Sequence, residues 1–347
     1  MKKASKYKLF PDWATVTIIV TAIVAIAVAL VALAIASVFP QEPDGKGFSG
    51  PNDPYLARIR VVGEISGVSN RFSSSETSYH HRWTMQTIDT LIGDENNKGI
   101  CLWLDTPGGT VYESDELYLK LMEYKEKTGR PIYSYMRRIA ASGGYYIAAP
   151  SDEILANRNS WTGSIGVSLG TLFDVSGFLE EKGIRTDTIV AGSNKAMGNR
   201  YEPLTAEQRR IFQSLVDDSY ERFVAIVAEG RGMTDNEARA LSDGRIFTAS
   251  QALEAGLIDT ILGETEAEAA IRAKFAEKVI IFDCYYRPDA AYRSLFALYA
   301  NSGQGLLSLL SDAIGAQQYK GDVAAVLELT REQEEAGVPP LKYLYTG

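Results

Sequence analysis

The longest uninterrupted apolar run covers residues 14–39 (ATVTIIVTAIVAIAVALVALAIASVF), 26 consecutive positions without a charged side chain. At about 1.5 Å per residue, a helix of this length crosses a hydrocarbon core of about 30 Å, so one N-terminal transmembrane helix is predicted. Small residues around Ala36 resemble a cleavage site, but the run exceeds the roughly 7–15 apolar residues of a cleaved signal peptide and favours an uncleaved signal anchor. Beyond it, residues 40–54 are rich in proline and glycine and lack periodicity, as a linker would.

From residue 55 the pattern changes to short apolar runs separated by amphipathic ones. ARIRVVGEI predicts a strand, TMQTIDTLIGD a helix and KGICLWLDT a strand. TVYESDELYLKLMEYKEKTG predicts a helix with Leu117, Leu121 and Tyr124 on one face. PIYSYM follows as a strand, then a short helix from near Ser142. Strands alternating with helices predict an α/β fold with a mainly parallel sheet flanked by helices.

The second half continues with DEILAN, SIGVSL and RTDTIV as strand candidates and SGFLEEKG as a helix. Residues 205–229 predict a long helix, opened by Thr205 and Gln208 at capping-box spacing. Its Phe212, Val216, Tyr220, Phe223 and Val227 recur at three- and four-residue steps and are read as a core face rather than a ligand site. ETEAEAAIRAKFAEK and KVIIFDC close the domain as helix and strand. The expected organisation is thus a short n-region (1–13), an anchor (14–39), a linker (40–54), a catalytic-sized domain (55–285) and an extension (286–347) with no assigned chemistry.

Charge orients this arrangement. Lys2, Lys3, Lys6 and Lys8 precede the apolar run against Asp12 alone, so the positive-inside rule keeps the N-terminus in the cytoplasm and places the domain outside it. Net charge is −9 in total and +3 over residues 1–12, leaving −12 for the remainder. That acidity argues against nucleic acid as a partner, since such binding draws on basic patches. Cys101 and Cys284 sit in apolar strand-like runs and are expected to be buried thiols rather than a disulfide framework or metal cluster.

The chemistry-bearing segments are LDTPGGTVYES, IAASGGYYIAAP around Ser142, TGSIGV around Ser164 and AGSNKAMGNR around Lys195. A serine hydroxyl needs a neighbouring base to act as a nucleophile. The chain has only two histidines, His80 and His81, adjacent in a Ser-rich, turn-like stretch read as an exposed loop. Lysine is therefore the candidate base, provided that it is neutral part of the time, for which burial is the physical means. Read singly, Ser142 is an N-cap, Ser164 a turn residue, Lys195 a solvated loop lysine and Gly108–Gly109 an ordinary strand-to-helix turn.

Read together, DTPGG, ASGGYYIAAP, TGSIGV, GSNKAMG and DGRIFTASQALEAGLID resemble the signal peptide peptidase A (SppA) family of membrane-anchored serine peptidases over roughly residues 56–285. The resemblance implies a ClpP/crotonase-like core, Ser142 as nucleophile, Lys195 as general base and Ser164 as the hydroxyl orienting the lysine. It also implies Gly109 and Gly143 as backbone donors to the oxyanion, and no cofactor or metal. The expected substrates are hydrophobic peptides such as released signal peptides. A homo-oligomer is expected, in which the dyad forms within one subunit or between neighbours. The threonine of DTPGG departs from the serine more often found there, and the lysine loop varies. A same-family quality-control protease and a non-catalytic scaffold are the alternatives; an acyl-CoA enzyme is disfavoured by the anchor.

Overall fold

A computed structural model of the chain describes residues 50–68, 74–286 and 342–344. The apolar run at 14–39, most of the linker and most of the extension lie outside these residues. Among the described residues no helix is long and apolar enough to cross a membrane.

The first half alternates as expected: β1 (Tyr55–Val62), α1 (His81–Gly93), β2 (Asn97–Thr106), β3 (Gly108–Thr110), α2 (Val111–Thr128), β4 (Ile132–Ala141) and α3 (Gly143–Ala148). The second half adds β5 (Glu153–Ala156), β6 (Trp161–Gly163), α4 (Ser176–Glu181), α5 (Ala206–Arg231), α6 (Asp235–Ala240), β7 (Ile246–Thr248), α7 (Ala249–Glu254), β8 (Thr260–Ile261), α8 (Glu264–Arg272) and β9 (Ile280–Cys284). A last strand, β10 (Lys342–Leu344), comes from the extension.

Eight of these strands form one sheet, in the order β7-β6-β4-β2-β1-β9, with β5 and β8 joined to the side of β4. All pairings in it are parallel except β6–β7. Parallel strands carry helices on both faces, so a central one is apolar throughout. β2 obeys this rule, buried at every position but Lys98, which accounts for the continuous run GICLWLD. β4 divides its outer edge: Tyr133–Met136 pair with β5, and Ile139–Ala141 pair with β6.

Helix signals hold up locally. Thr205 accepts from the Gln208 amide and Gln208 returns a bond to the Thr205 amide, a capping box that starts α5. In α2, Leu117, Leu121 and Tyr124 are buried together. Cys101 and Cys284 are free and buried, and burial pushes the Cys101 thiol up to about 12.

Two expected strands do not form. SIGVSL is irregular, because Gly163 and Ser164 take positive φ values of 85° and 50° and end the extended run at Gly163. RTDTIV is exposed along its whole length and has no strand partner, and an unpaired extended segment has no ladder to hold it.

Candidate active site

β4 ends at Ala141 and α3 begins at Gly143, so Ser142 alone carries the reversal from strand to helix, with φ 54° and ψ −119°. A non-glycine residue there costs of order 1–3 kcal/mol and persists only where its surroundings over-determine it. They do so here. The Ser142 amide donates to Gly163 O at 2.8 Å, and the Tyr146 amide donates to Ser142 O at 2.9 Å. Tyr145 and Tyr146 pin the helix from both sides, donating their hydroxyls to Leu257 O at 2.8 Å and to Asp115 Oδ1 at 2.5 Å. The paired tyrosines of ASGGYYIAAP thus act as anchors for the turn.

Glycines set the close approaches. A Cβ on Gly144 would lie 2.7 Å from Thr106 Cγ2, so the helix start sits directly on the DTPGG turn. A Cβ on Gly109 would lie 1.8 Å from Ile65 O, a contact no side chain permits. Thr106 accepts a bond from the Gly108 amide through Oγ1 at 3.0 Å and so holds the turn.

Ser142 and Ser164 open on one cavity of about 340 Å³, lined also by Gly166, Val167, Ser168, Tyr220, Ser242, Asp243 and Gly244. Both serines are buried, at 1% and 9% exposure. The Ser164 amide donates to Arg245 O at 2.7 Å, which fixes it to the segment carrying Asp243 and Gly244. The Arg245 guanidinium beside Asp243 holds that carboxyl down to about 2, so the mouth of the cavity carries a fixed ion pair.

The structure brings together Ser142 and Ser164, and sets Gly143 in the first turn of α3, whose amides have no partner one turn back. Gly109 lies on β3, which leads into α2. Lys195 does not line the cavity: it is exposed, in a turn where its amide donates to Gly192 O at 3.1 Å. Tyr220 was read as core and also lines the cavity, because α5 lies across the end of α3; Phe223, one turn on, packs its ring 4.9 Å from Tyr146. Periodicity identified that helix face but could not locate a cavity at its end.

The histidines are not in an exposed loop. His80 and His81 are 3% and 8% exposed. His80 stacks on Tyr286 at 4.0 Å, and His81 sits between the Tyr79 hydroxyl and Glu116, each 2.7 Å away. Burial holds the Tyr79 phenol well above its usual range. It therefore keeps its proton, facing His81 Nδ1, while Nε2 of the same ring faces the Glu116 carboxylate. Neither ring lines the cavity. His81→Ala is expected to cost about 1–3 kcal/mol of stability by removing one partner of the buried Tyr79 hydroxyl, with kcat retained; a collapse of kcat at unchanged Tm would restore histidine as a base.

Among the described residues no group of three or more His, Cys, Asp or Glu is disposed to hold a metal ion.

The family model described as peptidase family S49 matches residues 124–278. The chain is 38% identical over 214 residues to a putative signal peptide peptidase SppA of Enterococcus faecium, covering 61% of each chain. It is 34% identical over 186 residues to a putative protease of Methanocaldococcus jannaschii, covering 54% of this chain and 59% of that one. With a putative protease of Synechocystis it shares 32% identity over 262 residues, 75% of this chain and 87% of that one. It therefore spans about three fifths of the length of the first two relatives and most of the third. The family match and these relatives together place the chain in peptidase family S49, the SppA family of serine peptidases.

Proposed function

We propose that the protein is a membrane-anchored serine endopeptidase that cleaves hydrophobic peptides, such as released signal peptides, through a Ser142/Lys195 dyad on a ClpP/crotonase-like core. The observation that carries this reading is Ser142, held at φ 54° on a strand-to-helix turn and opening with Ser164 on one cavity. A strained turn that presents a serine hydroxyl above a sheet is a recurrent setting for a nucleophile. The putative signal peptide peptidase name of the Enterococcus faecium relative supports the substrate class.

In the proposed cycle the Lys195 amine takes the Ser142 proton as Oγ attacks the scissile carbonyl. The Gly109 and Gly143 amides stabilise the oxyanion, and the protonated lysine returns its proton to the leaving amine. Water then repeats the sequence on the acyl-enzyme ester, freeing the second product and the serine. Ser164 holds the lysine amine toward Ser142.

Lys195 lies outside the cavity of its own chain, which favours a dyad completed by a neighbouring subunit. The surface of its segment is compatible with such a contact: Phe173, Phe178, Ile184 and Ile189 are 53–92% exposed. Residues 14–39, with the four lysines before them, support a single-pass anchor with the N-terminus cytoplasmic and the domain outside.

The test is hydrolysis of a quenched fluorescent peptide with an apolar centre by the full chain in detergent, with a membrane-protein terminus as competitor. Turnover is expected to rise from neutral toward alkaline pH, by up to about tenfold per pH unit, because the deprotonated amine is the active base. A profile flat across that range would remove lysine from the mechanism, and preferential cleavage of the competitor would favour the quality-control alternative.

A further inference from the structure

The two halves of α5 are buried by different things. From Phe223 onward its apolar face enters the main core, where Phe223, Val224 and Val227 are buried. Over residues 206–218 Phe212 is the one buried residue, at 6% exposure. Among the described residues it belongs to neither core cluster. The segment that carries Lys195 lies against it instead. Gly198, at φ 80°, meets the end of the ring: a Cβ there would lie 3.0 Å from Phe212 Cζ and 3.3 Å from Cε2. Most hydrogen bonds of this segment close on itself. The Lys195 amide donates to Gly192 O at 3.1 Å, that of Met197 to Asn194 O at 3.1 Å and that of Asn199 to Ala196 O at 3.2 Å. The Asn199 side chain donates to Ala196 O and accepts from the Tyr201 amide. A side-chain bond from Asn194 Nδ2 to Glu207 Oε1 at 3.3 Å, in the first turn of α5, accompanies the ring contact.

We infer that Phe212 is a positioning residue for the general base: its ring, seated under Gly198, clamps the Lys195 turn onto the largely exposed first half of α5 and holds the lysine in one place. The inference rests on the reading of Lys195 as base. Consecutive turns such as residues 192–201 have neither a ladder nor a core of their own, so their backbone position depends on what they pack against. Glycine at this point serves the contact twice, since it accepts the positive φ and lets the ring touch the backbone. Burying the ring against the turn removes apolar surface from water, which favours the seated arrangement over a loose one. The clamp and the cavity also share one rigid element. Phe212 and Tyr220 are eight residues apart on α5, a rise of about 12 Å, so the helix fixes the lysine turn relative to the cavity that Tyr220 lines. Slack in the clamp therefore appears as misplacement of the amine, and misplacement by about 1 Å can lower a rate about 100-fold.

The experiment measures trypsin cleavage and peptide turnover of the full chain in detergent. Cleavage after Lys195 and Arg200 is followed by mass spectrometry in a Ser142→Ala background, so this readout needs no catalysis by the chain. Adding Phe212→Ala is expected to speed cleavage at these bonds about tenfold, and Phe212→Leu, which keeps an apolar contact under Gly198, to leave it within about threefold of the parent. With Ser142 intact, Phe212→Ala is expected to lower kcat about 10–100-fold at a KM within about twofold, because Phe212 does not line the cavity, and Phe212→Leu to recover most of the loss. Gly198→Ala, which drives a methyl group into the same ring, is expected to reproduce both effects of Phe212→Ala. In a Lys195→Ala chain, Phe212→Ala is expected to lower turnover no further, since a positioning residue acts through the group it positions. Unchanged cleavage in the Phe212→Ala and Gly198→Ala variants overturns the clamp, and faster cleavage at unchanged kcat overturns its positioning role. A further loss in the Lys195→Ala background overturns it as well, by showing that Phe212 acts on the fold at large. Wild-type turnover by Lys195→Ala alone, with the cleavage pattern intact, would instead remove lysine as base and leave the clamp a structural contact.

Discussion

Ser142→Ala is expected to lower kcat/KM for peptide hydrolysis by roughly 10⁴–10⁶-fold while leaving the fold intact. The magnitude follows from what removal of a serine nucleophile costs when only oxyanion donors and binding remain. The fold survives because the anchors of the turn are not the Ser142 hydroxyl. They are the Ser142 amide bond to Gly163, the Tyr145 and Tyr146 hydroxyl bonds, and the fit of Gly144 against Thr106. Steady-state kinetics with Tm measured in parallel separates the two effects. Turnover retained within tenfold would mean that another group performs the attack, and the cavity would have to be reassigned.

Lys195→Ala carries the second large effect, a loss of about 10²–10⁴-fold in kcat, the usual contribution of a positioned general base. Because Lys195 is exposed and, among the described residues, is held through its backbone amide, the substitution should not change Tm. The decisive measurement mixes two inactive proteins. If the lysine comes from a neighbouring subunit in a head-to-tail ring, co-assembly of equal amounts of Ser142→Ala and Lys195→Ala chains restores about a quarter of wild-type activity, since half the sites have each residue. No recovery on mixing, with co-assembly shown by size, would place the dyad within one chain and require the lysine loop to move.

Local signals in the sequence succeeded where the cause is local. The capping box at Thr205 and Gln208 starts its helix as expected, and the unbroken run GICLWLD belongs to a strand buried on both faces. The parallel sheet was legible for the same reason, as an alternation of two periods. Failures arose where a distant contact decides. His80 and His81 looked like loop residues because their neighbours are serines, yet Tyr286 and Glu116, far along the chain, bury them. Ile189 and Val190 have the composition of a strand, but among the described residues no edge receives them. Hydrophobic pattern states that a residue is to be covered and leaves open by what.

The candidate site divides along the same line. The glycines around Ser142 and Ser164 marked tight turns, which the positive φ at both serines bears out, but it took the ordered set of motifs and its resemblance to give the two serines roles. Tyr220 carried no such mark, since its spacing is that of any core position. Pairing between β10 and Gly109 was equally invisible, a match of backbone to backbone that demands little of the side chains.

The divided edge of β4 bears on how such a protein can change over evolutionary time. Its serine-bearing end is clamped by β2 on one side and β6 on the other, so substitutions there disturb the chemistry itself. Val167, Ser168 and Tyr220, which shape the cavity, come from an irregular segment and a helix that take no part in that clamp. On the proposed reading, substitutions at these positions reshape the cavity without touching the strand pairings that hold the Ser142 turn.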